Sequence, residues 1–195
     1  QSSVDLSTWD TSQVEIMTSM FEGAVSFDGN VSPWVTSRVT DMSRMFKGTS
    51  VFNGDLSAWD TRRVVTMASM FHSATAFQGY GIQQWNTSIV TNLTSAFFNA
   101  SAFSGDLSFW DTRSLTSLRE TFAFATSFNA DLSSWQVDNV VDFRNAFYFA
   151  SNFNQSLCAW NTRVIPVVVL FGIFNESGCD DTTDPEISET VLGDR

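Results

Sequence analysis

Basic residues are scarce: 10 Lys and Arg, Lys47 being the single lysine, stand against 21 Asp and Glu, for a formal net charge of −11. A chain this acidic has no basic face to neutralise rows of phosphates, which excludes nucleic acid and anionic membrane surfaces as partners. Histidine occurs once, at His72, so neither a Ser-His-Asp nor a Cys-His constellation can be assembled around a second imidazole. Cysteine occurs twice and proline three times. No apolar run reaches the roughly 18 residues that a membrane-spanning helix needs. The longest, residues 164–174, contains Pro166 and Gly172, so no membrane insertion is expected. Asp106 and Asp131 occupy equivalent places in successive copies of a repeat and offer oxygen ligands of the kind calcium takes. Without a calcium-loop pattern around them they read as turn caps, and the expected metals, cofactors and catalytic residues are none.

What the chain has in quantity is aromatic and apolar side chains, 14% and 43% of 195 residues, enough for a core. All seven tryptophans form one series, Trp9, Trp34, Trp59, Trp85, Trp110, Trp135 and Trp160, evenly spaced save for a single extra position between Trp59 and Trp85. Three residues before each comes an aliphatic (Leu6, Val31, Leu56, Ile82, Leu107, Leu132, Leu157), and five after it another, from Val14 to Ile165. Twelve after comes a phenylalanine from Phe21 to Phe147, and eighteen after a second from Phe27 to Phe153. The extra residue falls around Tyr80-Gly81. Repetition at a fixed period of this size means stacked units, each unable to bury its own apolar face alone.

Within a copy, Val64, Met67, Met70 with Phe71, and Ala74 recur at steps of three or four, the spacing of one face of a short helix. Asp60 and Thr61 can cap it. Upstream, Leu-x-x-Trp-x-Thr follows a Gly-Asp turn in several copies (Gly54-Asp55, Gly105-Asp106) and reads as a short strand. The expected fold class is therefore an α/β repeat solenoid of leucine-rich-repeat type: seven stacked coils of short parallel strand plus short helix, with the last coil as a C-terminal cap. Residues 1–179 form this one domain, and residues 180–195 an acidic flexible tail. Met17, Met20, Met42, Met45, Met67 and Met70 read as core filling beside the phenylalanines. His72 is expected to face solvent, and the Thr11, Thr36, Thr61, Thr87, Thr112 and Thr162 column to point inward, against an ice-binding role.

The repeat Asp-Leu-Ser-x-Trp-Asp-Thr-Ser-x-Val-x-x-Met-x-x-Met-Phe-x-x-Ala-x-x-Phe-x-Gly resembles that of the BspA-like surface-protein leucine-rich-repeat family, over roughly residues 4–174. The resemblance implies a secreted or cell-surface protein engaged in adhesion or matrix interaction, without catalysis. Val35 and Gln136 depart from the Asp or Asn after tryptophan, and Val167 to Phe171 replaces Met-x-x-Met-Phe in the seventh copy.

Cys158 lies in a column otherwise held largely by serine, and Cys179 follows it in the C-terminal extension; a disulfide between them would tie that extension over the last coil, the alternative being two free thiols. Six Asn-x-Ser/Thr acceptors, Asn30, Asn86, Asn92, Asn99, Asn154 and Asn175, are candidate N-glycosylation sites. If the residues flanking tryptophan point outward, Asp10, Asp60, Asn86, Phe109, Asp111, Gln136 and Asn161 form a shallow candidate binding face for a protein or glycan at a surface. The second expectation is structural. A first repeat that begins almost at Gln1 would expose an apolar end for further copies, end to end, in an extracellular filament.

Overall fold

The structure, a computed structural model, describes residues 6–157 and Trp160. Successive coils, 6–30, 31–55, 56–81, 82–106, 107–131 and 132–156, lie one upon the next. Isolated parallel bridges connect them from Ile16 to Asp41, Thr66, Asn92, Ser117 and Asp142, so equivalent residues of neighbouring coils meet in the register that the tryptophans set. The column one residue earlier carries the same ladder: Thr40 N donates to Glu15 O, Val65 N to Thr40 O, Thr91 N to Val65 O, Thr116 N to Thr91 O and Val141 N to Thr116 O.

The expected α/β class does not hold. Among the described residues there is no α-helix and no strand, and the one helical element is a 3-10 turn, Ile82–Gln84. The segment expected as a helix is a chain of turns in which donors alternate between two uses. In the third coil Ser69 N, Phe71 N and Ser73 N donate to Thr94 O, Ala96 O and Phe98 O of the next coil, at 2.8, 2.8 and 2.7 Å. Between them Met70 N, His72 N and Ala74 N donate three residues back, to Met67 O, Ser69 O and Phe71 O. An α-helix requires each N–H to bond four residues back within its own segment, and here half are committed to a neighbour. Ser69 and Ser73 have φ of 56° and 57°, left-handed values that no right-handed helix accommodates. The same two positions are left-handed in the other coils, as at Ser19, Arg44, Glu120 and Asn145.

The expected strand is also a turn, since Trp59 N donates to Leu56 O at 3.1 Å, and Trp34, Trp110 and Trp135 close the same turn in their coils. The apolar spacing of three thus has a different origin from a helix. In the turns that carry this spacing the first and last residues both face inward while joined by the hydrogen bond between them, as with Thr61 and Val64, Met67 and Met70, and Ala74 and Phe77.

Inside, the aromatic columns are continuous. Phe21, Phe46, Phe71, Phe97, Phe122 and Phe147 stack from coil to coil with centroids 5.4–5.7 Å apart. Each stacks within its coil on the second phenylalanine, as Phe71 does on Phe77 at 3.9 Å. Full burial of one such side chain is worth about 1.5–3 kcal/mol, so the ladders dominate the core. From Trp34 onward the tryptophans add directional bonds, the indole N–H donating to the aliphatic residue's carbonyl in the coil before it: Trp34 to Leu6, Trp59 to Val31, Trp85 to Leu56, Trp110 to Ile82. Of the six methionines five are buried; Met20, on the outer side of the first described coil, is half-exposed at 38%.

The inserted residue of the third coil is accommodated by glycine alone. Gly81 has φ of 86°, and a Cβ there would run into the Ser57 backbone nitrogen. Beyond it Ile82–Gln84 tightens into the 3-10 turn that returns Trp85 to its column.

Candidate recognition face

The inward threonines are the first layer under the candidate face. Thr36 Oγ1 accepts from Asp60 N at 2.8 Å and donates to Asp60 O at 3.0 Å, so one hydroxyl satisfies both backbone groups of the residue after the next tryptophan. Thr11 does this for Val35, and Thr112 for Gln136. Thr11, Thr36, Thr61, Thr87 and Thr112 are buried. They therefore fix the backbone of the column above them and present nothing to solvent.

That outer column carries most of the predicted binding residues, on successive turns and not on a sheet face, because the tryptophan segment is no strand. Asp10, Asn86 and Gln136 are exposed, and Asp60 and Asp111 half-buried. Four of these side chains bend back onto their own turns. Asp10 Oδ1 accepts from Ser12 N, Asp60 Oδ1 from Arg62 N, Asn86 Oδ1 from Ser88 N and Asp111 Oδ1 from Arg113 N. Arg62 and Arg113 also clasp the carboxylates of Asp60 and Asp111, at 2.7 and 2.5 Å. These guanidinium bonds hold both carboxyls below the ordinary aspartate range, and the hydrogen bonds of Ser12 do the same for Asp10. Phe109 belongs to the column just before tryptophan and is 78% exposed, the most exposed large apolar side chain of the described residues. Asn161, Cys158, Cys179 and Asn175 lie outside the described residues.

The acceptor asparagines divide by environment. Asn30, Asn86 and Asn154 are exposed. Asn92 is a half-buried bridge residue whose Oδ1 accepts from Thr94 N. Asn99 donates its own amide nitrogen, the atom a glycan would occupy, to Ser73 Oγ at 3.3 Å. Asp106 and Asp131 each cap a turn, accepting from Ser108 N and Ser133 N, and among the described residues no group of three or more His, Cys, Asp or Glu gathers.

Two features escape the sequence reading. His72 is half-buried, its ring stacked 4.6 Å from Phe98, and burial pushes its pKa down, with Lys47 adding to the effect. Phe98 begins an outer aromatic edge that runs through Phe124 to Tyr148 and Phe149. The signal was available in register, because the same positions hold Glu22, Gly23, Lys47 and Gly48 in the first two coils. The second is an open cleft of about 460 Å³ lined by Ser37, Arg38, Asp60, Arg62 and Arg63. Arg38 and Arg63 share one column in adjacent coils, which the charge count alone conceals.

No curated protein and no solved structure matches the chain. A family model does, over residues 1–80 and again over 78–177, so that the repeats are covered nearly end to end. On that match the chain belongs to the family described as "Mycoplasma protein of unknown function, DUF285".

Proposed function

We propose that this chain is a non-catalytic recognition module of BspA-like surface-repeat type, secreted or held at a cell surface, which contacts a protein or glycan through the edge formed by the residues flanking tryptophan. The observation that carries this reading is the pinning of that edge. Asp10, Asp60, Asn86 and Asp111 are each fixed by a turn bond, and the buried Thr36, Thr61 and Thr87 hold the backbone of the last three from the coil before. A surface ordered before contact loses less conformational freedom on binding. Phe109, exposed in the midst of this polar edge, is an aromatic anchor of the kind that concentrates binding energy. The family match over the stacked repeats is compatible with a BspA-like repeat.

The test is binding of purified protein to arrays of glycans and surface proteins, with Phe109→Ala beside the parent chain. Retained fold with at least about tenfold weaker binding is the expected result. Light scattering and negative-stain images of the same sample should show a uniform monomer; fibres would replace the recognition reading with end-to-end structural assembly.

A further inference from the structure

We propose that the cleft between the second and third coils is an oxyanion subsite that takes a single carboxylate or sulfate carried on an otherwise neutral glycan; this rests on the recognition reading above. Three of the chain's 10 basic residues, Arg38, Arg62 and Arg63, converge there with the Ser37 hydroxyl. Arg38 and Arg63 stand at the same position of adjacent coils, where like charges repel.

Their partners differ. Arg38 reaches away along the stack to Glu15, at 2.6 Å, and to the Gln13 side chain. Arg62 is clasped by Asp60, the one acid in the lining, whose oxygens are thereby committed. Arg63 is exposed and has no ion-pair partner among the described residues. An oxyanion in the cleft would give Arg63 its missing partner and relieve the repulsion with Arg38, through the charge-assisted bonds that guanidinium groups make to planar or tetrahedral oxygens.

The class of ligand follows from charge and shape. A net charge of −11 repels dense polyanions, which excludes nucleic acid and heavily sulfated chains and leaves an isolated oxyanion. The cleft is open, and apolar residues continue its two columns: Val35 stands in the Asp60 column and Ile89 in the Arg63 column, 48% and 43% exposed. A sugar ring has an apolar face to lay against such residues while its acidic group meets the arginines.

The experiment follows backbone amide shifts of the ¹⁵N-labelled chain during titration with methyl glucuronide for the carboxylate source and N-acetylglucosamine 6-sulfate for the sulfate source. Neutral N-acetylglucosamine and triglutamate are compared with them. Saturable shifts centred on Ser37, Arg38, Arg62 and Arg63 are expected with one or both acidic sugars. Affinity should fall about tenfold in Arg63→Gln, which breaks no ion pair among the described residues, and hold in Arg144→Gln, whose partner Asp142 lies off the recognition edge. No saturable shift, equal binding of the neutral sugar, tighter binding of triglutamate, or indifference to Arg63→Gln would each overturn the proposal. If the chain still binds partner surfaces in the array assay, such a failure removes this subsite alone; loss of both removes the recognition reading with it.

Discussion

Replacing Thr36 by valine tests whether buried hydroxyls join the coils. The two side chains are nearly isosteric, so the change leaves no cavity and removes one oxygen. That oxygen satisfies both Asp60 N and Asp60 O across the coil boundary, at 2.8 and 3.0 Å. A buried polar backbone group deprived of its partner costs about 1–3 kcal/mol. Asp60 is half-buried, so water restores part of this and we expect about 2 kcal/mol, or roughly thirtyfold in the local opening equilibrium. Native-state hydrogen exchange reads the quantity at the Asp60 amide, and suits a stacked protein in which unfolding need not be all-or-none. Thr36→Ser keeps the hydroxyl and should lose about 1 kcal/mol for the missing methyl, with the amide still protected. Thr40→Val is the control, because Thr40 Oγ1 donates to Glu15 O on an exposed surface and its loss should stay within about 0.5 kcal/mol. Protection of Asp60 within about threefold of the parent in Thr36→Val would refute the reasoning, as would equal effects of Thr36→Val and Thr40→Val.

Ser69→Gly separates the turn architecture from a helix: at φ of 56° glycine should leave the urea midpoint unchanged or raise it slightly, whereas in a helix it would lose about 0.5–1 kcal/mol. Gly81→Ala should destabilise the chain by more than about 2 kcal/mol, seen as a lower midpoint, because the new Cβ meets the Ser57 backbone and cannot be relieved by side-chain movement. Acid should weaken the fold in one direction only. Asp60, Asp111 and Asp142 have folded pKa values lowered by Arg62, Arg113 and Arg144, so their contribution is present above the unfolded aspartate value of about 3.9 and is lost as pH falls below it. Urea midpoints at pH 7, 5 and 3 should fall slightly between the first two, because the unfolded chain protonates His72 before the folded one does, and drop further at the third, and Asp60→Asn, which keeps the turn bond, should reduce that second drop.

The sequence by itself determined the period, the register and the inward columns. Seven tryptophans at one spacing, broken by a single inserted residue, leave one way to superpose the copies, and the Phe71 and Phe77 columns stack along that register. It also carried the inward threonines, since a threonine lies two residues after the tryptophan in the first five described coils, from Thr11 to Thr112, and the buried Val137 takes that place in the sixth. What it did not determine was the backbone between these points. Val64, Met67 and Met70 fall three apart in a helix face and equally in successive turns whose ends both face the core, so periodicity cannot choose. Local chemistry does not choose either, because the left-handed corners are occupied by Ser69, Glu120 and Phe124 as well as by Gly48. Tertiary structure decides. Ser69 N and Phe71 N find acceptors at Thr94 and Ala96 in the neighbouring coil, and that non-local bonding stabilises alternate residues in a conformation that a solitary segment would leave for a helix or for water. The arginine cleft has the same origin, because Arg38 and Arg63 line one cleft only once their coils are stacked.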